Sequence, residues 1–448
     1  MAMSELPPGP GAAPLIQTAR WLLSPIAFME ACHRRFGDVF SVRFVGFERP
    51  MVMLSDPRAI QALYAEPAHR LPRGRIIALL PIMGPQSVLL LEGGAHLARR
   101  RLMLPPFHGE RMRAYEQEMR EIAREEIDRW PHGEELALLP RMRAITLEVI
   151  MRIVFGVTEP ARLERLRSLL PRLLEDTAST SLSFRVMLAQ RRGRTDPLAA
   201  FTALQEQIDE VLLAEIAQRR RAGDGVARPD VLSLLVAARF DGGGSMSDRD
   251  VRDQLVTLLL AGHETTATAL AWTFDLLTHN PVVLERLRAE LREQEGDRYL
   301  RAVVTESLRL RPVVPLAGRR LASDLDVDGF RLPAGTDVTP AIWLTHTRAD
   351  LYPQPHAFRP ERFLDDAPST YGWIPFGGGV RRCLGAAFAE LEMRVVLGCV
   401  LEALEVSAVS ARPERVQRRN ITFAPRHATR VRVVPASAPS RPAAIAPL

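Results

Sequence analysis

Apolar residues recur at three- and four-residue spacing through most of the chain, and this periodicity limits the fold more than any other feature. It predicts helices over 25–36, 57–65, 95–103, 110–130, 141–155, 161–175, 197–221, 230–240, 248–278, 281–293, 298–310 and 386–404. Strand signals are few. "DVFSVRFVG" and "RPMVMLS" alternate around a turn and predict an N-terminal hairpin; "DLDVDGF", "TDVTPAIW" and "ATRVRVVP" predict further short strands. There is no strand–helix–strand series and no internal repeat, which argues against a dinucleotide-binding sheet. The expected class is mainly α with small β-sheets, in one large domain over 1–435. The Pro- and Ala-rich stretch 436–448 is expected to be a disordered tail.

The chain contains no lysine; all 59 basic residues are arginine. A Schiff-base cofactor or a phosphate-binding loop with its lysine is therefore excluded. The net charge of +6 does not point to nucleic acid, because the arginines alternate with Glu and Asp in "EMREIAREEIDRW" and "LERLRAELREQ", the pattern of solvated helix faces. Three cysteines, Cys32, Cys383 and Cys399, give no disulfide framework and fit a reducing compartment. With no signal-peptide pattern and no apolar run of about 18 residues, a cytoplasmic protein without a membrane segment is expected.

Two stretches carry chemistry. Ser247 and Asp250 form a capping box that opens the helix 248–278, and "AGHETT" (261–266) lies at its middle. Glycine and threonine are poor mid-helix residues. Either each hydroxyl bonds back to the preceding turn, or the helix is loosened so that hydroxyls face a cavity. The second stretch, "FGGGVRRCLG" (376–385), runs straight into an apolar helix. Cys383 thus sits at a helix N-terminus beside Arg381 and Arg382, where a thiolate is favoured. Gly377, Gly378 and Gly379 let the backbone turn tightly against something flat, and Gly385 lets the helix come close to it. With no second Cys or His at metal spacing, zinc is disfavoured. A lone thiolate facing a large planar anion suits haem, with arginine at a propionate. Cys32 and Cys399 fall on apolar helix faces and are expected in the core.

Phe376, Gly379, Arg381, Cys383 and Gly385 fill an F-x-x-G-x-R-x-C-x-G pattern that resembles the haem-ligand loop of the cytochrome P-450 haem-thiolate monooxygenases. "ESLR" (306–309) resembles the E-x-x-R helix of that family, "PERF" (360–363) its partner segment, and "AGHETT" its oxygen-activating segment. The resemblance implies a cytochrome P-450 fold with haem b and Cys383 as the iron ligand. It implies a structural charge triad of Glu306, Arg309 and Arg362. It makes Glu264 and Thr265 an acid–alcohol pair that delivers protons to iron-bound dioxygen, with Thr266 the lesser candidate, and gives Ala261 and Gly262 the role of leaving room for the dioxygen. By the same resemblance Phe376, Gly377, Arg381 and Gly385 are expected to contact the haem. His96 and Arg100, four residues apart in "HLARR", are expected at the propionates with Arg319, although Arg320 could take that place.

By the same resemblance the substrate pocket is lined by Ile77, Leu80, Val88, Leu258, Ala261, Val313, Val314, Leu316 and Phe423, and also draws on "STSLSFRVMLAQ". So apolar a lining implies a terpenoid, steroid or fatty acyl substrate, hydroxylated or epoxidised. The chain carries no flavin or iron–sulfur segment, so a ferredoxin and its reductase are the expected electron source. The docking face is expected at "RRR" (99–101) and Arg382, with the protein acting as a monomer. Two alternatives are a haem-thiolate peroxygenase or peroxide isomerase, which commonly lacks the acid–alcohol pair, and a non-catalytic haem redox or gas sensor.

Overall fold

A computed structural model describes residues 6–70, 80–178, 199–223, 228–293, 296–419 and 421–436. Two proline-started helices open the fold, α1 (Pro14–Leu23) and α2 (Pro25–Phe36); proline at the first turn has no N–H to leave unpaired. The hairpin β1 (Val39–Val42) and β2 (Met51–Leu54) follows, then α3 (Pro57–Ala65), capped by Asp56 through the N–H groups of Arg58 and Ala59. Next come α4 (Leu80–Met83), α5 (Gly93–Met103), α6 (Arg111–Ile127), β3 (Glu135–Ala137), α7 (Leu138–Val149), α8 (Pro160–Ala178), α9 (Ala199–Ala222) and α10 (Val231–Ala237). The long helix α11 (Asp248–Thr278) starts at the expected capping box, both halves of which form. It is followed by α12 (Pro281–Glu293) and α13 (Arg298–Leu310). The strands β4 (Arg319–Arg320), β5 (Leu325–Val327), β6 (Phe330–Leu332) and β7 (Asp337–Pro340) then lead to α14 (Ile342–His346) and α15 (Ala386–Ala403). β8 (Leu404–Ala408), β9 (Val416–Arg419), β10 (Thr422–Pro425) and β11 (Arg430–Pro435) close the chain.

Mainly helical with small sheets, the architecture matches the expected class. The largest sheet runs β1-β2-β7-β4, with β2 and β7 parallel and the other pairs antiparallel. α11 is buried along most of its length and lies against α7, α9, α13 and α15. A second core joins the sheet to α3 through Val52, Leu54, Ile60, Leu63, Tyr64 and Val338.

Several expectations need correction. "DLDVDGF" is not one strand but the start of a hairpin: Asp328 and Gly329 both take positive φ (48° and 79°), the geometry of a two-residue turn. The run 336–343 leaves β7 at Pro340 and becomes α14. The helix expected over 141–155 ends at Val149 and continues as a π-turn, Ile150–Val154, in which Phe155 N–H reaches Ile150 O at 2.8 Å. Asp230 lies outside its helix, because its carboxylate caps it by accepting from Ser233 N–H at 2.7 Å. α1 has no counterpart among the expected helices. The tail beyond 436 and the segment 179–190 lie outside the described residues.

Candidate functional site

The cysteine loop is folded by its own backbone. Cys383 N–H donates to Phe376 O at 3.0 Å and Gly377 N–H to Ile374 O at 2.9 Å. Gly377 and Gly379 take φ of +65° and +61°, which favours glycine. The middle glycine has another reason to be there. A Cβ on Gly378 would come within 2.4 Å of the Tyr64 ring on α3. The flat surface that this glycine meets is therefore a tyrosine of the protein itself. Gly385 differs, since a Cβ there would meet no atom within 4 Å.

Cys383 is solvent-accessible yet deep in the protein, and loss of surrounding water raises its pKa. The Gly385 N–H, then Arg100 and Arg382, pull it the other way without reversing the shift. Contrary to the thiolate expected from the sequence, local positive charge does not offset that loss of water. A bound metal cation deprotonates a ligating thiol outright. Cys32 and Cys399 are buried, as expected, and burial raises the Cys32 thiol to about 11.

Three arginines and a histidine cluster beside the loop. His96 is 2% exposed, and its Nδ1 has no hydrogen-bond partner among the described residues. Burial, then repulsion from Arg381, Arg100 and Arg319, lowers its pKa to about 4. Burial raises Tyr64 to about 12, with nearby Arg319 pulling the other way, and among the described residues its hydroxyl is likewise buried without a partner. Arg320 instead holds Asp337 through two bonds of 3.0 Å, which leaves Arg319 as the member of the cluster. Arg381 donates to Val88 O at 3.4 Å and Leu91 O at 2.7 Å, fastening the loop to the segment before α5. Mutually repelling cations, two buried polar atoms without partners and the free space at Gly385 fit a flat cofactor that carries two carboxylates, as haem b does.

On α11, Ala261 is exposed and Gly262 and Thr265 are partly so, although the helix around them is buried. Thr265 Oγ1 donates to Ala261 O at 2.5 Å. Both readings of this stretch therefore hold in part: the hydroxyl bonds back to its own helix and remains reachable. Thr266 is buried. Glu264 lies on another side of the helix, where Arg143 of α7 grips both carboxylate oxygens at 2.7 and 2.6 Å. The acid and the alcohol are thus not joined here. Arg143 was not foreseen; His263, the central histidine of the sequence, turns its Nε2 to Arg143 O at 3.1 Å.

Glu306 and Arg309 are fully buried on α13 and joined by bonds of 2.6 and 2.8 Å; Arg362 reaches Glu306 at 3.1 Å. Arg309 also donates to His346 O and Pro355 O, at 2.7 and 2.8 Å, so the network is closely satisfied. His346 escaped the sequence reading. Its Nε2 accepts from Ile374 N–H at 2.8 Å, which leaves Nδ1 to donate to Arg309 O at 3.0 Å. This buried ring links α13 to the start of the cysteine loop.

Of the expected pocket residues, Leu258, Val314 and Leu316 are partly buried, and Leu80 opens α4. Val88 is buried and pinned by its N–H to Gln254 Oε1 at 2.9 Å. Val313 and Phe423 are buried and joined by their backbones at 2.7 Å. Phe423 packs in a core with Trp21, so it is not a free lining residue in this structure. Ile77 lies outside the described residues. The "RRR" run is not a free basic face: Arg99 is buried against Asp250 at 3.4 Å, and Arg101 pairs with Asp241. Arg382 is exposed.

Comparison with known proteins agrees with this geometry. The family model for cytochrome P450 matches residues 7–429. Cytochrome P450 135B1 of Mycobacterium tuberculosis is 42% identical over 441 residues, covering 96% of this chain and 91% of the relative. Cytochrome P450 137 of the same species is 41% identical over 404 residues, covering 90% and 84%. Among solved structures, a cytochrome P450DA haem domain superposes with a TM-score of 0.83 at 23% identity, covering 97% and 98%. A retinoic acid-bound cyanobacterial CYP120A1 superposes with a TM-score of 0.77 at 24% identity, covering 97% and 100%. The chain belongs to the cytochrome P450 family and is a monooxygenase that uses haem b and dioxygen.

Proposed function

We propose that the chain hydroxylates or epoxidises an apolar small molecule of the terpenoid, steroid or fatty acyl classes, taking electrons from a ferredoxin and its reductase. The observation that carries this reading is the meeting of a reachable Cys383 thiol with the His96, Arg100, Arg319 and Arg381 cluster. Haem b bound there supplies the redox chemistry that cleaves dioxygen, with a thiolate donating electron density. Cys383 Sγ holds the iron, and the cation cluster holds the carboxylates. Phe376, Gly377 and Gly385 shape the surface against which the flat group rests, and the Glu306–Arg309–Arg362 network fixes the backbone behind it. Ala261 and Gly262 leave room beside α11. Thr265 Oγ1, both donor and acceptor, passes a proton there. Glu264 joins that route only after its carboxylate parts from Arg143.

Leu258, Val314 and Leu316 offer partly exposed hydrocarbon, which supports a greasy substrate. Arg382, exposed beside Cys383, supports docking of an acidic partner. The test is the absorbance spectrum of the reduced protein under carbon monoxide. A strongly red-shifted Soret band is expected, and it should vanish in Cys383→Ala. A band at the position of histidine-ligated haem, or the same shift in that variant, overturns the ligand assignment. Titration with terpenes, steroids and fatty acids should shift the oxidised spectrum for one class; no response to any of them overturns the substrate reading.

A further inference from the structure

The first helix is docked with its polar side inward. Gln17 on α1 is 1% exposed; its Nε2 donates to Pro10 O and Ala12 O at 3.0 and 2.7 Å, and its Oε1 accepts from Arg43 N–H at 2.9 Å. Thr18 Oγ1 accepts from Val45 N–H at 2.9 Å. Trp21 completes the inward side, with ring centroids 5.9 Å from Phe44 and 6.3 Å from Phe423. At 3.6 residues per turn, Leu15, Ile16, Ala19 and Leu23 then lie on the opposite side.

Their exposure agrees: Leu15 is 70% exposed, Ile16 50% and Leu23 83%. Leu22, also on α1, is 50% exposed, and Val45 and Ile421, on segments that meet the helix, are 57% and 62% exposed. Val45 is tied to Thr18, and Ile421 sits at the turn between β9 and β10, whose Arg418 and Phe423 both reach Trp21. Among the described residues, every large hydrophobic that is at least half exposed lies on α1 or on one of the two segments that meet it, Val282 apart. Such segregation marks a contact surface rather than scattered apolar exposure.

Arginines adjoin the patch in sequence. Arg20 flanks the stripe on α1, Arg43 follows the strand beside it, and Arg418 and Arg419 precede Ile421. None of the four is in an ion pair among the described residues, and no Asp or Glu occurs between Leu6 and Met29. A two-fold contact between copies of this face would set these arginines against one another. An anionic lipid surface offers hydrocarbon to the leucines and phosphates to the arginines.

We propose that this face rests on an anionic lipid surface, with α1 lying in the plane of the interface. No helix among the described residues is long and apolar enough to cross a membrane, so the contact is peripheral. The proposal goes beyond the oxidation chemistry and does not depend on it.

The test uses the full-length holoprotein, sedimented with vesicles of phosphatidylcholine alone or mixed with phosphatidylglycerol. Binding to the mixed vesicles is expected. It should weaken about tenfold or more in the I16Q/L23Q double variant, and several-fold in Arg20→Glu or on raising salt from about 0.1 M to about 0.5 M. Both apolar residues are solvent-exposed, so the haem spectrum and Tm of the double variant should match the parent. Absence of binding to either vesicle type overturns the proposal, and so does equal binding by the double variant. Lipid-free dimers that I16Q/L23Q abolishes, in place of vesicle binding, would assign the face to a second copy and overturn it as well.

Discussion

Arg143 holds both oxygens of the Glu264 carboxylate, at 2.7 and 2.6 Å, across 121 residues of sequence. The side chains are 29% and 23% exposed, so water screens the pair only in part. Arg143→Leu should lower the unfolding free energy by about 1–2 kcal/mol, measured by denaturant titration of the holoprotein. Glu264→Gln should slow turnover about tenfold or more and enlarge the solvent isotope effect, since a general acid contributes at least that much. If rate and isotope effect stay at parent values, Glu264 is a structural partner of Arg143 and the proton takes another route.

Thr265→Ala removes a hydroxyl whose bond to Ala261 O duplicates one the helix already supplies. Its Tm should change little, with an effect within about 0.5 kcal/mol. Coupling should change much more. The expected readout is reductant consumed without product, with hydrogen peroxide released instead. Unchanged coupling would move the proton role to another group.

Two glycines of one loop should respond in opposite ways. Gly378→Ala drives a methyl into the Tyr64 ring, a contact of 2.4 Å that the ring cannot easily leave. That should cost about 1–3 kcal/mol of stability whether or not haem is present. Gly385→Ala meets open space at an ordinary φ of −90°, so the polypeptide alone should tolerate it. If the cofactor fills that space, this variant should bind haem more weakly with its polypeptide stability unchanged. Calorimetry of the haem-free protein, together with haem titration, separates the two.

Burial lowers the pKa of His346 to about 3, against about 6.5 in an unfolded chain. Between those values the unfolded state binds one more proton than the folded state. Its contribution to stability is therefore complete above about pH 6.5 and is lost as the pH falls below it, at about 1.4 kcal/mol per pH unit. His263 and His96, both lowered to about 4, act in the same direction. His346→Gln keeps a donor and an acceptor but cannot titrate. Denaturation measured at about pH 7 and about pH 5 should show a pH dependence shallower by about one proton. Parallel dependences would mean that His346 is protonated in the folded protein.

What could be read from the sequence was whatever is written locally. The capping box at Ser247 and Asp250 marked the start of α11 to the residue, because both partners lie within one turn. The cysteine loop was legible because thiol, arginines and glycines follow one another. Partners supplied by the tertiary fold were not. His346 works through backbone atoms of Arg309 and Ile374, and no side-chain pattern announces such bonds. Arg143 resembled any other arginine on an amphipathic helix. α1 went unseen because an apolar stripe is read as a buried one, whereas this helix buries Gln17 and bonds through Thr18 instead. Phe423 looked like a lining residue, but Trp21 of that same helix covers it.

The tyrosine under the cysteine loop also sets an order of events during synthesis. Tyr64, His96 and Arg100 leave the ribosome well before Gly378, which packs on Tyr64, and Cys383, which lies near Arg100. Until α15 has emerged, the early half holds a ring, an imidazole and a guanidinium with no thiol to face them. If Cys383 is the haem ligand proposed above, secure capture of haem waits until the chain has been made past residue 383, and a ribosome stalled before it leaves a product without that thiol.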